Sequence, residues 1–218
     1  MTGVHTGSWL ALIALGAFHG LNPAMGWLFA VALGLQEHRR GAVFRALLPL
    51  AAGHALAILA VITIAALAGL TISPFYLRWV VAGILIMVGV RFLVRHPHLR
   101  WAGMRVGMGE LTLWSFLVAS VHGAGLMVLP IFMKMSNATR MSAAEHAFAG
   151  AGFLASGTVA AAIAATALHA ASYLLVSAAV ALLVFEKLGV GVIRKAWFNI
   201  DVLWATALMG TGVATLVL

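Results

Sequence analysis

Cysteine is absent from this chain of 218 residues, which excludes a disulfide framework, a thiolate nucleophile and thiolate metal ligation. Acid is nearly as scarce: five Asp and Glu stand against thirteen Lys and Arg. Charged residues make up 8 % of the chain, where a soluble domain carries about 25 %. With 64 % hydrophobic residues, the chain reads as an all-α integral membrane protein whose surroundings are a lipid bilayer. No polar stretch is long enough to fold apart, so residues 1–218 are expected to form a single membrane domain. No P-loop, GxSxG or HExxH is present, and the chain is not expected to be an enzyme. The first basic residue is Arg39. Residues 1–30 thus lack the charged start of a cleavable signal peptide, and the first hydrophobic segment is expected to be retained.

What charge there is lies unevenly. A formal charge of +8 in a soluble protein would suggest nucleic acid. Here the retention of Lys and Arg in cytoplasmic loops accounts for it, and no nucleic-acid partner is expected. Apolar runs long enough to span fall near 9–34, 47–70, 76–94, 112–133, 158–185 and 198–217. Arg39, Arg40 and Arg45 follow the first run, and Arg91, Arg95, Arg100 and Arg105 close the third. Lys187, Arg194 and Lys195 follow the fifth, so these three loops hold ten of the thirteen basic residues. They are expected on the cytoplasmic side of an inner or plasma membrane, with both termini on the other side. Trp9, Tyr76 and Trp79 then suit the outer interface, and Trp101 and Trp197 the inner one. Residues 147–185 carry no charge. As one helix they would run about 58 Å, nearly twice the ~30 Å hydrocarbon core. One span after an irregular glycine-bearing piece ("FAGAGFLASG") keeps the total at six; a turn inside the run would make seven.

The chain also reads as two copies of one unit, about 9–94 and 112–217. "LGAFHGLNPAMGWLF" opens the first and "LVASVHGAGLMVLPIF" the second, each with His-Gly and a later proline. "AAGHALAILAV" is echoed by "ATALHAASYLLV". With three spans per unit, the copies would lie inverted, a recurring transporter plan with its site near mid-membrane where the repeats meet.

Within "AFHGLNPAMG", Pro23 cannot donate to the carbonyl of His19 and would clash with it. Asn22 is a good N-cap and Pro23 suits a first helical position. The first span is therefore expected to break at 20–22, with a half-helix starting at Pro23. Gly20, Asn22 and Pro23 would then offer backbone groups to a substrate. Four histidines, His19, His54, His122 and His169, fall inside spans. One such histidine is usually a contact between helices, but intramembrane ionisable groups also mark cavities and pathways. Four, in two similar pairs, suggest one shared site. Neutral imidazoles suit Ni, Co, Cu and Zn, relay protons, or clamp a haem iron.

Other features carry less. The aquaporin signature HxNPA differs in spacing from "HGLNPA", and the second half lacks a matching Asn-Pro-Ala. Met127, Met133, Met135 and Met141 crowd one region, but methionine is first an adaptable packing residue. His96 and His98, in "RHPHLR", read as solvated loop residues.

On "GAFHGLNPAMGWLFAVALGL", "GHALAIL" and "HGAGLMVLP" the chain resembles the lysine-exporter superfamily, in outline its nickel/cobalt exporter branch. The resemblance implies six helices in two repeats and metal contact at His19 and His54. That branch sets an acid close behind its first histidine, where this chain has Pro23-Ala24-Met25; a softer ion or a neutral solute fits that change. The expected function is thus secondary transport, an exporter of a small substrate with a transition-metal cation leading. The alternative is a membrane-embedded haem- or metal-binding protein for electron transfer or cofactor assembly.

Overall fold

The computed structural model describes residues 2–68, 74–94, 107–143, 156–188 and 205–216. These residues form helices, with no strand among them: α1 (Thr2–Leu21), α2 (Trp27–Glu37), α3 (Arg40–Ala68), α4 (Pro74–Val94), α5 (Met108–Val121), α6 (Ala124–Ala143) and α7 (Ser156–Leu183). A further helix, α8, covers Ala205–Leu216. Two stretches, Arg40–Ala68 and Val159–Lys187, are long and apolar enough to cross a bilayer alone. The helices Met108–Val121 and Ala124–Met135, bent by 65° to each other, supply a third if taken as one broken span. Leu48 and Ile64, both on α3, are each 65 % exposed. Side chains of that kind pointing outward along a spanning helix suit lipid, not water.

Two of the runs are interrupted. Residues 112–133, expected as one span, break between Val121 and Ala124. Gly123 there adopts φ +73, a left-handed conformation that glycine reaches without steric cost. In the first run the α-helix resumes at Trp27 and not at Pro23. Conversely, Ser156–Leu183 is uninterrupted, so no turn divides that stretch. The glycine-bearing residues 147–155, the His96/His98 loop, and Asp201 with Arg194 and Lys195 lie outside the described residues.

Close helix packing comes from small residues, as is usual where lipid is as apolar as the side chains. Gly16 and Gly20 lie one turn apart on α1 and both face α7. A Cβ on Gly20 would stand 2.7 Å from the Tyr173 carbonyl oxygen and 2.9 Å from the Val176 Cβ. Gly53 on α3 meets α5 in the same way, and a Cβ added there would stand 2.9 Å from the backbone nitrogen of Phe116. The two most extensive helix contacts are accordingly α1 with α7 and α3 with α5. Hydroxyls then cross these seams to backbone carbonyls: Ser172 Oγ donates to Ile13 (2.8 Å), Ser177 Oγ to Gly20 (3.3 Å) and Ser115 Oγ to Leu50 (2.6 Å).

Candidate metal centre

The site begins with the local chemistry of proline. Pro23 removes the N–H that would have bonded to the His19 carbonyl, and Asn22 N donates to it instead at 3.2 Å. Asn22 is extended (φ −71, ψ 118), as a residue before proline must be, and its Oδ1 accepts from Ala24 N at 2.9 Å. One 3-10 turn follows, Pro23–Met25, and Gly26 at φ +117 redirects the chain into α2. Gly26 serves a second purpose, since an added Cβ would meet Leu50 Cδ2 at 2.7 Å.

The break is closed upon the protein. The Gly20 carbonyl accepts from Ser177 Oγ, the Leu21 carbonyl from Trp27 Nε1 at 3.2 Å, and the Met25 carbonyl from Tyr173 Oη at 2.6 Å. Non-helical backbone at membrane depth needs such partners. Gly20, Asn22 and Pro23 are thus buried, with Gly20 packed on α7 and Asn22 capping the turn.

Directly before this break, α1 delivers His19. The middle of α3 delivers His54 and the middle of α7 His169, and all three are fully buried (0 % exposed). One nitrogen from each lies within 4.8 Å of the others. His54 and His169 approach Nε2 to Nε2 at 3.3 Å, with rings parallel to within 5°. His19 stands edge-on to both, its ring centroid 5.3 Å from that of His54 and 5.0 Å from that of His169.

Hydrogen bonds set the tautomers. His19 Nδ1 lies 2.7 Å from the Leu15 carbonyl oxygen and His169 Nδ1 3.2 Å from that of Leu12. A carbonyl only accepts, so each Nδ1 carries the hydrogen and each Nε2 the lone pair. Metal-binding histidines are generally held this way, the far N–H donated to a carbonyl or carboxylate. His54 Nε2 then donates to His169 Nε2, and His54 Nδ1 has no hydrogen-bond partner among the described residues. Two nitrogens each 2.0–2.1 Å from a tetrahedral ion stand about 3.3 Å apart. That is the observed separation of His54 and His169.

The fourth histidine is not in this set. His122 caps α5 at the second break, 5 % exposed, with both its backbone nitrogen and Nδ1 at 2.9 Å from the Val118 carbonyl oxygen. The side chains that sequence reasoning missed are Tyr173 and Thr166. Tyr173 stacks on His54 (centroids 4.3 Å apart, 11° between planes) while its hydroxyl holds the first break. Thr166 Oγ1 is buried without a hydrogen-bond partner among the described residues. A signal existed for both. Thr166, His169 and Tyr173 are spaced 3 and 4 apart on one face of α7, and Tyr173 is one of only two tyrosines in the chain.

No acid among the described residues joins the cluster. Among the described residues Glu37 pairs with Arg45, Glu186 with Arg40 at 3.0 Å, and Glu110 accepts from Gly107 N at 3.0 Å, all three exposed. Fold and site together define a helical membrane protein with a three-histidine cluster buried among its helices. No family model, no curated protein and no solved structure matches the chain.

Proposed function

We propose that the protein is a secondary transporter, an exporter in outline like the lysine-exporter superfamily, that carries a transition-metal cation on His19, His54 and His169. The observation that carries this reading is the convergence of three fully buried imidazoles from three helices to within 4.8 Å. Packing alone would satisfy each histidine separately, and gathering three of them excludes water from three polar groups at once. The donors are neutral, so the ion is held by donation and not by charge, which suits borderline and soft ions. The three ring centroids lie within 5.5 Å of one another and His54 stacks on Tyr173, an arrangement that favours a bare ion over a haem between two of the rings.

Transport asks for more than binding, and the packing offers a route. His19 and His169 belong to the α1–α7 pair, whereas His54 and His122 belong to the α3–α5 pair. An ion held by His19, His54 and His169 would bridge the two pairs, and rocking of one against the other would open the site. In this reading the chain has six spans as two inverted units. Its support is the exchanged pairing: the first helix of each unit packs on the second long helix of the other.

The test is titration of purified protein with Cu+, Zn2+, Co2+ and Ni2+, read by elemental analysis, followed by flux of the bound ion into proteoliposomes. One ion per chain is expected, with loss of binding in His54→Ala and His169→Ala. Native protein that binds none of these ions sinks the metal reading, and binding without flux sinks transport.

A further inference from the structure

His54 and His169 occupy echoing positions in the two halves of the sequence, and in the fold their Nε2 atoms meet. His19 and His122 echo each other as well. Each stands in a His-Gly pair at the end of a helix, directly before a break that a left-handed glycine completes, Gly26 in one case and Gly123 in the other. Each also donates Nδ1–H to the carbonyl four residues earlier, Leu15 or Val118, which puts the lone pair on Nε2. Yet only His19 belongs to the cluster. Equivalent residues are in unequal positions.

Inequality of that kind has a physical meaning in a protein of two related units. If the units can exchange conformations, the exchanged state has the same internal geometry seen from the other side of the membrane. Contacts made by both units survive the exchange, and contacts made by one pass to its counterpart. We propose that His122 is the alternate third ligand: in the state facing the opposite side of the membrane, His54, His122 and His169 form the binding triad and His19 withdraws. This rests on the transport reading above. The ion keeps two ligands, His54 and His169, throughout, while the third donor is handed from α1 to α5. Continuous coordination matters because a cation stripped of donors inside a low-dielectric bundle is strongly disfavoured. His122 is prepared for the part, being buried, with its tautomer set as His19's is.

The experiment compares His19→Ala, His122→Ala, His122→Gln and the His19→Ala/His122→Ala double variant. Binding of Zn2+, Co2+ and Cu+ is measured in detergent, flux in proteoliposomes, and melting temperature for each. Either single alanine variant is expected to keep a bound ion, through the triad that remains, and to lose flux. The double variant is expected to lose affinity by about a hundredfold or more relative to either single, since losing a direct ligand should cost at least as much as losing an outer-shell partner. His122→Gln retains an N–H for the Val118 carbonyl but removes the ring nitrogen, so it should also lose flux while melting like the native protein. Native flux in His122→Gln would overturn the proposal, as would a His19→Ala variant that already binds no better than the double. In either of those results the metal reading stands and His122 is a packing residue. Native protein that binds none of the three ions would end both readings together.

Discussion

His54 and His169, 115 residues apart in sequence, place their Nε2 atoms 3.3 Å apart with rings nearly parallel. The N–H between them is the group that ion binding must displace. To turn a third lone pair inward, His54 has to move its hydrogen from Nε2 to Nδ1. Tyr173 covers one face of that ring and reaches past it to the break in the first run. Site and break therefore share one side chain.

Tyr173→Phe should keep the stack on His54 and lose the bond to the Met25 carbonyl. A single buried hydrogen bond contributes about 1 kcal/mol, and the carbonyl left without its donor adds to the loss. A lowered melting temperature is expected with ion affinity within about tenfold of native, since the ring that supports His54 remains. Tyr173→Leu removes the flat face as well and should weaken binding further. Equal affinity in the two variants would show that the stack does not orient His54.

Gly20→Ala should force α1 and α7 apart, because its Cβ would stand 2.7 Å from the Tyr173 carbonyl oxygen. Overpacking of this kind costs about 1–3 kcal/mol. Gly7→Ala is the control on the same helix, with nothing within 4 Å of the added Cβ, and should leave unfolding unchanged or slightly delayed. Matching melting curves for the two variants would refute the close α1–α7 seam.

Asn22→Ala removes the acceptor for Ala24 N and should destabilise by about 1 kcal/mol, with Asn22→Asp and Asn22→Ser recovering part of it. Gly26→Ala should be worse than Asn22→Ala, since it meets both a φ of +117 and Leu50 Cδ2. Chemical unfolding monitored by tryptophan fluorescence ranks the variants. The reverse order would mean that the cap, and not the glycine, holds the break.

Reporter fusions at residues 42 and 190 should both read cytoplasmic, as the loops rich in Lys and Arg require. An external reading at 190 with a cytoplasmic reading at 42 would give an odd number of crossings between them. The division into two inverted three-helix units would then fail.

Sequence by itself determined what is local. Scarce charge and long apolar runs made the chain a membrane protein, because each buried charge would have to be desolvated. Pro23 and Asn22 announced the first break, since the clash with His19 and the side-chain cap act within four residues. The echo of "GHALAIL" in "LHAASYLL" marked His54 and His169 as a pair. Tertiary structure decided the rest. That α1 lies on α7 and α3 on α5 follows from glycine and hydroxyl contacts between residues more than fifty apart in sequence, which no local pattern encodes. The second break has no proline at its turn. It rests on the positive φ of Gly123, and a glycine can adopt such a φ without announcing it. His19 and His122 look alike in sequence because each sees the same neighbours along the chain. Only the packing of helices from both halves, which sets one ring edge-on against His54 and His169 and leaves the other at its helix end, makes them different.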